Sequence, residues 1–140
     1  MFNETFTLES LNSLSKNTMV EHLGIEFSEI GADYLKAIMP VNERTIQPLG
    51  LLHGGASVAL AETLGSLAST MTIDLNNYYC VGLDINANHV KSAKEGLVEG
   101  TARPIHIGKK TQVWEIRIEN KDNELICISR ITMAIIDKKK

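Results

Sequence analysis

A single glutamate, Glu62, interrupts a run of small and apolar residues, Ala56-Ser57-Val58-Ala59-Leu60-Ala61-Glu62-Thr63-Leu64-Gly65-Ser66. A carboxylate buried in such company is costly unless partners or a function offset its desolvation. Glu62 is therefore the first candidate for nucleophilic or acid–base work. Ser66 follows at i+4, on the same helical face. It can hold a water or the carboxylate, although a lone helix serine equally serves structure. Upstream, His53-Gly54-Gly55 leads from a loop into the same helix. Glycine lets a ligand approach the backbone closely. The first helical N–H groups lack intrahelical acceptors and sit at the positive end of the helix dipole. They suit an anion, or a carbonyl oxygen that becomes one. A tight turn that merely requires glycine fits the same residues. His53 stands at the helix mouth, where hydrogen bonding can orient the turn with no acid–base role. Gln47 is a neutral donor and acceptor in the same loop, and its local sequence does not single it out.

Glu62 lies eight residues beyond Gly54, about 12 Å along a helix axis. A glutamate side chain leans back toward the N-terminus and recovers only about 4–5 Å of that. One chain cannot easily bring both groups to one carbonyl carbon. Two antiparallel helices from two subunits can, with Gly54 of one facing Glu62 of the other across a twofold interface. Other chemistries find no support. His22, His53, His89 and His106 are scattered, with no HxH, HExxH or Cys/His spacing for a metal. No G-x-S-x-G elbow, P-loop or dinucleotide fingerprint is present.

The elements that must position these residues are legible from periodicity. Thr7 can cap a short helix carrying Leu8, Leu11 and Leu14. Strand-like runs cover about 22–30 and 34–41, with Gly31 and Asp33 in the turn and Pro40 ending the second run. Gln47 to Gly55 reads as a loop that opens into the one long helix, about 55–71. That helix is rich in small residues and its apolar positions form no single stripe, which predicts burial on several sides. After Asn76-Asn77 the period switches to two. Val81, Leu83, Ile85 and Ala87 then share one strand face, and Gly82, Asp84, Asn86 and Asn88 the other. The run 97–107 is interrupted at Pro104, which implies an edge or a bulge. Trp114, Ile116 and Ile118 alternate with Glu115, Arg117 and Glu119, giving one buried and one wet face. Lys121-Asp122-Asn123 turns the chain into a last strand over 125–136. The fold expected is α+β, with five or six mainly antiparallel strands wrapped around the long helix.

The 140 residues suit one domain over 1–140. A net charge of −3 suggests no general attraction to nucleic acid or anionic membrane. The first residues lack the basic and apolar regions of a secretory signal, and no apolar run is long enough to span a bilayer. Cys80 and Cys127 are read as buried free thiols of a reducing cytoplasm. Lys138-Lys139-Lys140 is read as a short solvated tail.

Together, the stretch from Gln47 to Glu62, the run Val81-Gly82-Leu83-Asp84-Ile85-Asn86-Ala87-Asn88-His89-Val90 and Gln112-Val113-Trp114 resemble the hotdog-fold acyl-CoA thioesterases of the 4-hydroxybenzoyl-CoA type. The likeness spans nearly the whole chain. It is nearest the bacterial helix-glutamate branch that hydrolyses 1,4-dihydroxy-2-naphthoyl-CoA in menaquinone synthesis. It implies that Glu62 is nucleophile or general base, that the Gly54 N–H polarises the thioester carbonyl, and that Gln47 and His53 assist binding and orientation. It places Ser66 near the attacking water. Coenzyme A contacts are implied at Gly82, at His89, Val90, Lys91 and Ser92, and at His106, Ile107, Gly108, Lys109, Lys110 and Thr111. Lys91, Lys109 and Lys110 become phosphate contacts on this reading; alone they are solvated surface lysines. It further implies homodimers with shared active sites, paired as tetramers, and no metal or other cofactor, coenzyme A being part of the substrate. The implied substrate is an aromatic acyl-CoA, with medium-chain or promiscuous acyl-CoA hydrolysis as the alternative. A longer loop at 73–79 and Leu49 in place of a common Phe bear on the acyl pocket. A hydratase reading lacks its His-Phe-Pro-type motif. A non-hydrolytic acyl-CoA-binding protein would have no need of Glu62.

Overall fold

The computed structural model describes residues 1–139; Lys140, the end of the predicted solvated tail, lies outside them. Thr7 caps α1 (Leu8–Leu14) through a capping box, its hydroxyl accepting from the Ser10 N–H while Ser10 Oγ accepts from the Thr7 N–H. A second helix, α2 (Met19–His22), follows Asn17 at φ 61° and is capped by Thr18. Its four residues are too few for any periodicity to register. The first expected strand therefore starts later than 22, as β1 (Glu26–Ile30), and pairs with β2 (Leu35–Pro40). The long helix is α3 (Gly54–Thr70), followed by β3 (Tyr78–His89), β4 (Leu97–Ile107), β5 (Thr111–Glu119) and β6 (Leu125–Asp137).

The six strands form one antiparallel sheet in the order β1-β2-β4-β5-β6-β3, and α3 packs across β2 to β6 on one face of it. This is the hotdog arrangement. Trp114, Ile116 and Ile118 point inward from β5, as their alternation requires, and are fully buried with Leu60 and Leu64 of α3 and Ile131 of β6. Pro104 marks a bulge in β4, where the register with β5 slips between Pro104 and His106. The Phe2 ring stacks on Trp114 with centroids 6.1 Å apart. A buried polar chain joins helix to sheet. Trp114 Nε1–H donates to Gln112 Oε1 (2.9 Å), Gln112 Nε2–H to Thr72 Oγ1 (2.8 Å), and the Thr72 hydroxyl to the Ser69 carbonyl (2.7 Å).

Two readings of periodicity need correction. The α3 helix does carry one buried stripe: Ala56 and Ser57, Leu60 and Ala61, Leu64 and Gly65, Ala68 and Ser69. Small residues make it nearly invisible to hydropathy, yet they allow close approach to the sheet. A Cβ on Gly65 would lie 2.4 Å from Ile131 Cγ2. The opposite face of α3, including Ala59, Glu62, Thr63 and Ser66, is half-buried or exposed in the chain by itself. In β3, the register with β6 slips between Gly82 and Asp84. That extra residue flips the strand's faces. Ile85 and Ala87 pack on the core, while Val81 and Leu83 are exposed rather than sharing their face. β3 is also an edge strand, so Val81 and Leu83 are exposed along an unpaired border of the sheet.

Candidate active site

The turn at the mouth of α3 is built by its own residues. Gln47 accepts from the Leu49 N–H through Oε1, and its backbone N–H and carbonyl bond to Leu51 and Gly50, closing the loop around Pro48. Gly50 takes φ 81°, a left-handed conformation glycine adopts without penalty. His53 is the N-cap of α3, and its Nδ1 accepts from the Gly55 N–H at 2.7 Å. Its backbone N–H donates to the Thr45 carbonyl (2.8 Å). An imidazole that accepts at Nδ1 carries its proton on Nε2. The Gly54 N–H, next in the chain, has no acceptor among the described residues. It opens on a cavity of about 270 Å³ shared with Gln47, Ser57, His89, Lys91 and Ser92. A free helix-terminal N–H in a cavity with no carboxylate wall is equipped to polarise a carbonyl oxygen.

Glu62 stands elsewhere on the same chain. It is exposed, not core-facing as expected, because the buried stripe of α3 passes through Ala61 and leaves Glu62 on the helix flank. Its carboxylate lies over β3, and a Cβ on Gly82 would come within 2.9 Å of Glu62 Oε2. Ser66 does not bond to Glu62. Its hydroxyl points to Met133 Sδ at 3.9 Å, and a thioether is a weak acceptor that leaves the hydroxyl available. Glu62, Thr63 and Ser66 form the polar edge of a second cavity, about 370 Å³, whose other walls are Met19, Val20, Leu23, Ile25, Ala59 and Leu67. One chain thus holds the carboxylate and the free N–H in two separate cavities.

The residues assigned to coenzyme A divide in the same way. His89, Val90, Lys91 and Ser92 line the Gly54 cavity. His106, Ile107, Gly108, Lys109, Lys110 and Thr111 form the β4–β5 turn, level with Gly82 and Met133. His89 is level with Cys127 and Ile118, six residues up β5 from Gln112, or about 20 Å at strand rise. Lys91 is ion-paired with Glu124, whose carboxyl is held below the ordinary glutamate range by that contact first and by Asn120 second. Gly82 lies beneath the Glu62 carboxylate. Arg103 of β4 bonds Asp33 (3.3 Å) and lies over the Tyr34 ring, 4.6 Å from its centroid. Cys127 is a buried free thiol, pushed up by burial; Cys80 is free but only half-buried, 3.2 Å from Ser69 Oγ. No three His, Cys, Asp or Glu residues among the described residues converge as metal ligands.

Sequence reasoning passed over Ser57 and the α2 side chains. Ser57 is almost wholly buried at the Gly54 cavity, one turn after Gly54, a spacing that a search along that helix face would have found. Met19, Val20 and Leu23 carried no readable signal, since α2 becomes a cavity wall only by folding against α3.

Comparison with known proteins gives the family. Residues 49–127 match the Thioesterase superfamily. The 1,4-dihydroxy-2-naphthoyl-CoA hydrolase of Escherichia coli is 52% identical over 130 residues, covering 93% of this chain and 95% of that protein. The proofreading thioesterase EntH of Cronobacter turicensis is 48% identical, covering 93% and 94%. A thioesterase structure from Haemophilus influenzae superposes with a TM-score of 0.96 at 50% identity, covering 99% of this chain and 96% of that one. The chain belongs to the thioesterase superfamily and is a thioester hydrolase with the hotdog fold. Among the described residues, no helix is long and apolar enough to cross a membrane.

Proposed function

We propose that this chain hydrolyses an aromatic acyl-CoA, such as 1,4-dihydroxy-2-naphthoyl-CoA, to the free acid and coenzyme A in the cytoplasm. It does so as a homodimer in which Gly54 of one subunit faces Glu62 of the other. The observation that carries this reading is the separation of the free Gly54 N–H from the Glu62 carboxylate on one chain. The roughly 20 Å between residues 89–92 and 106–111 is compatible with the same arrangement, in which the two segments that contact one coenzyme A come from two subunits. The thioester oxygen sits on the Gly54 N–H, held in place by the His53 cap. Glu62 then either attacks the carbonyl carbon, giving an anhydride that water opens, or takes a proton from the water that attacks. In both routes the C–S bond breaks, sulfur keeps the electron pair, and the acid and the thiol leave. Ser66, whose hydroxyl makes only a weak contact to Met133 Sδ, holds the water. Gln47 and His53 keep the oxyanion turn in shape. No metal or other cofactor takes part, and dimers pair as tetramers.

One observation favours a second substrate class. The cavity beside Glu62 presents no polar side chain beyond Thr63 and Ser66. Nothing on its far wall would meet ring hydroxyls, so benzoyl and medium-chain acyl groups fit its chemistry as well. Thiol release from benzoyl-, 4-hydroxybenzoyl-, 1,4-dihydroxy-2-naphthoyl- and hexanoyl-CoA, for wild type and Glu62→Gln, tests the proposal. The expected result is hydrolysis that falls at least ~10²-fold in the variant. An unchanged variant rules out the role of Glu62. The ranking of substrates decides the acyl class, and hexanoyl-CoA ahead of every aromatic thioester would overturn the aromatic reading.

A further inference from the structure

His89 is assigned by resemblance to coenzyme A, but its imidazole lies against the oxyanion turn. A Cβ placed on Gly54 would be 2.9 Å from His89 Nε2, 3.1 Å from Cε1 and 3.4 Å from Cδ2. The ring edge, Nε2 foremost, therefore packs on the Gly54 backbone, a contact that any residue with a side chain at 54 would disrupt. We propose that His89 is a catalytic residue whose Nε2–H gives the thioester carbonyl oxygen a second hydrogen bond beside that of the Gly54 N–H. This rests on the hydrolase reading above and goes beyond it.

Three further features point the same way. Neither ring nitrogen of His89 has a hydrogen-bond partner among the described residues, whereas His53 Nδ1 is committed to Gly55. The backbone carrying the imidazole is held firmly: His89 ends β3 opposite Cys127, and the Val90 N–H donates to the Ile126 carbonyl at 2.8 Å. The cavity that His89 shares with Gly54, Gln47, Ser57 and Lys91 has no carboxylate in its wall to compete for the donor. Chemically, a carbonyl oxygen offers two lone pairs and gains charge as the carbon becomes tetrahedral. One backbone donor covers one of them. His89 covers the other from the same subunit, so each chain supplies a complete oxyanion hole and its partner supplies the carboxylate. His89 acts as a hydrogen-bond donor only, and proton traffic stays with Glu62 and water.

The test compares His89→Phe and His89→Gln with wild type and Glu62→Gln in one assay, using benzoyl-CoA as substrate and free coenzyme A as inhibitor. Free coenzyme A has the pantetheine and phosphates but no acyl carbonyl. The expected result for His89→Phe is a kcat at least ~10-fold lower, below the full ~10²-fold loss of a main oxyanion donor because the ring is exposed. KM and the inhibition constant of coenzyme A stay within about twofold of wild type. His89→Gln, whose amide N–H reaches where Nε2 stood, recovers part of the lost kcat. A raised inhibition constant with unchanged kcat returns His89 to coenzyme A and overturns the proposal. Unchanged kinetics in His89→Phe overturn it as well. Equal kcat losses in both variants, with lowered Tm, indicate packing and overturn it too. A wild type silent on every thioester removes the hydrolase reading itself, and the proposal falls with it. An active, Glu62-dependent wild type beside an equally active His89→Phe removes the proposal alone.

Discussion

Replacing Gly82 by alanine tests how finely the carboxylate is placed. The new methyl would meet Glu62 Oε2 at 2.9 Å. Ordinary contact begins near 3.4 Å, so one partner must yield about 0.5 Å. On one side is a backbone position paired with Met133 in the β3–β6 ladder. On the other is the free end of an exposed glutamate. The glutamate gives way. A misplacement of 1 Å costs about 10²-fold in rate when geometry sets the barrier, so half of that costs about tenfold. The fold itself should not suffer. Gly82 has no left-handed φ, and alanine there restricts the unfolded chain, worth about 0.4–1 kcal/mol. The expected variant has a kcat reduced about tenfold, an unchanged inhibition constant for free coenzyme A, and a Tm equal to wild type or slightly higher. Thiol release and calorimetry on the same samples read all three. A wild-type kcat would refute the reasoning from steric contact. A raised coenzyme A inhibition constant with normal kcat would restore Gly82 to the binding role implied by resemblance.

Other perturbations follow from the same geometry. Gln112→Leu leaves the Trp114 Nε1–H and the Thr72 hydroxyl without their buried partner, at a cost of about 2–3 kcal/mol. The expected Tm is lower by roughly 5–10 °C in calorimetry. Glu124 is held below its ordinary value of 4.5 by Lys91 and Asn120, so its contribution to stability is present above that pH and lost as pH falls through its lower folded value. The Tm gap between wild type and Glu124→Gln should be constant near neutrality and close in acid. The same variant frees Lys91, and a lower inhibition constant for coenzyme A checks its phosphate contact. Cys127 is buried, with its thiol pushed up by desolvation, so the native protein should show at most one fast-reacting thiol, Cys80. Titration in denaturant should then reveal both, whereas two fast native thiols would contradict the buried seat of Cys127.

Much of this protein is written in local sequence, because local physics decides it. The Thr7 cap, the alternation through Trp114, Ile116 and Ile118, and the bulge at Pro104 each follow from a residue's own dihedral preference or from a period of two. The turn at His53-Gly54-Gly55 with Glu62 two helical turns on was equally legible. Its spacing alone implied that one chain would keep the two apart, as the two cavities do. Other features depend on which distant segments meet. The stripe of α3 was misread because Ala61, Gly65 and Ala68 carry little hydropathy of their own; contact with Ile131 and its neighbours gives them meaning. The slip between Gly82 and Asp84 exists only as a register against β6, so no property of β3 alone could announce it. Gly82 under Glu62, Met133 beside Ser66 and His89 on Gly54 join residues far apart in the chain. Their distances were set when α3 settled on the sheet. Residue type and spacing therefore determined which chemistry was available, and tertiary packing decided where each group could act.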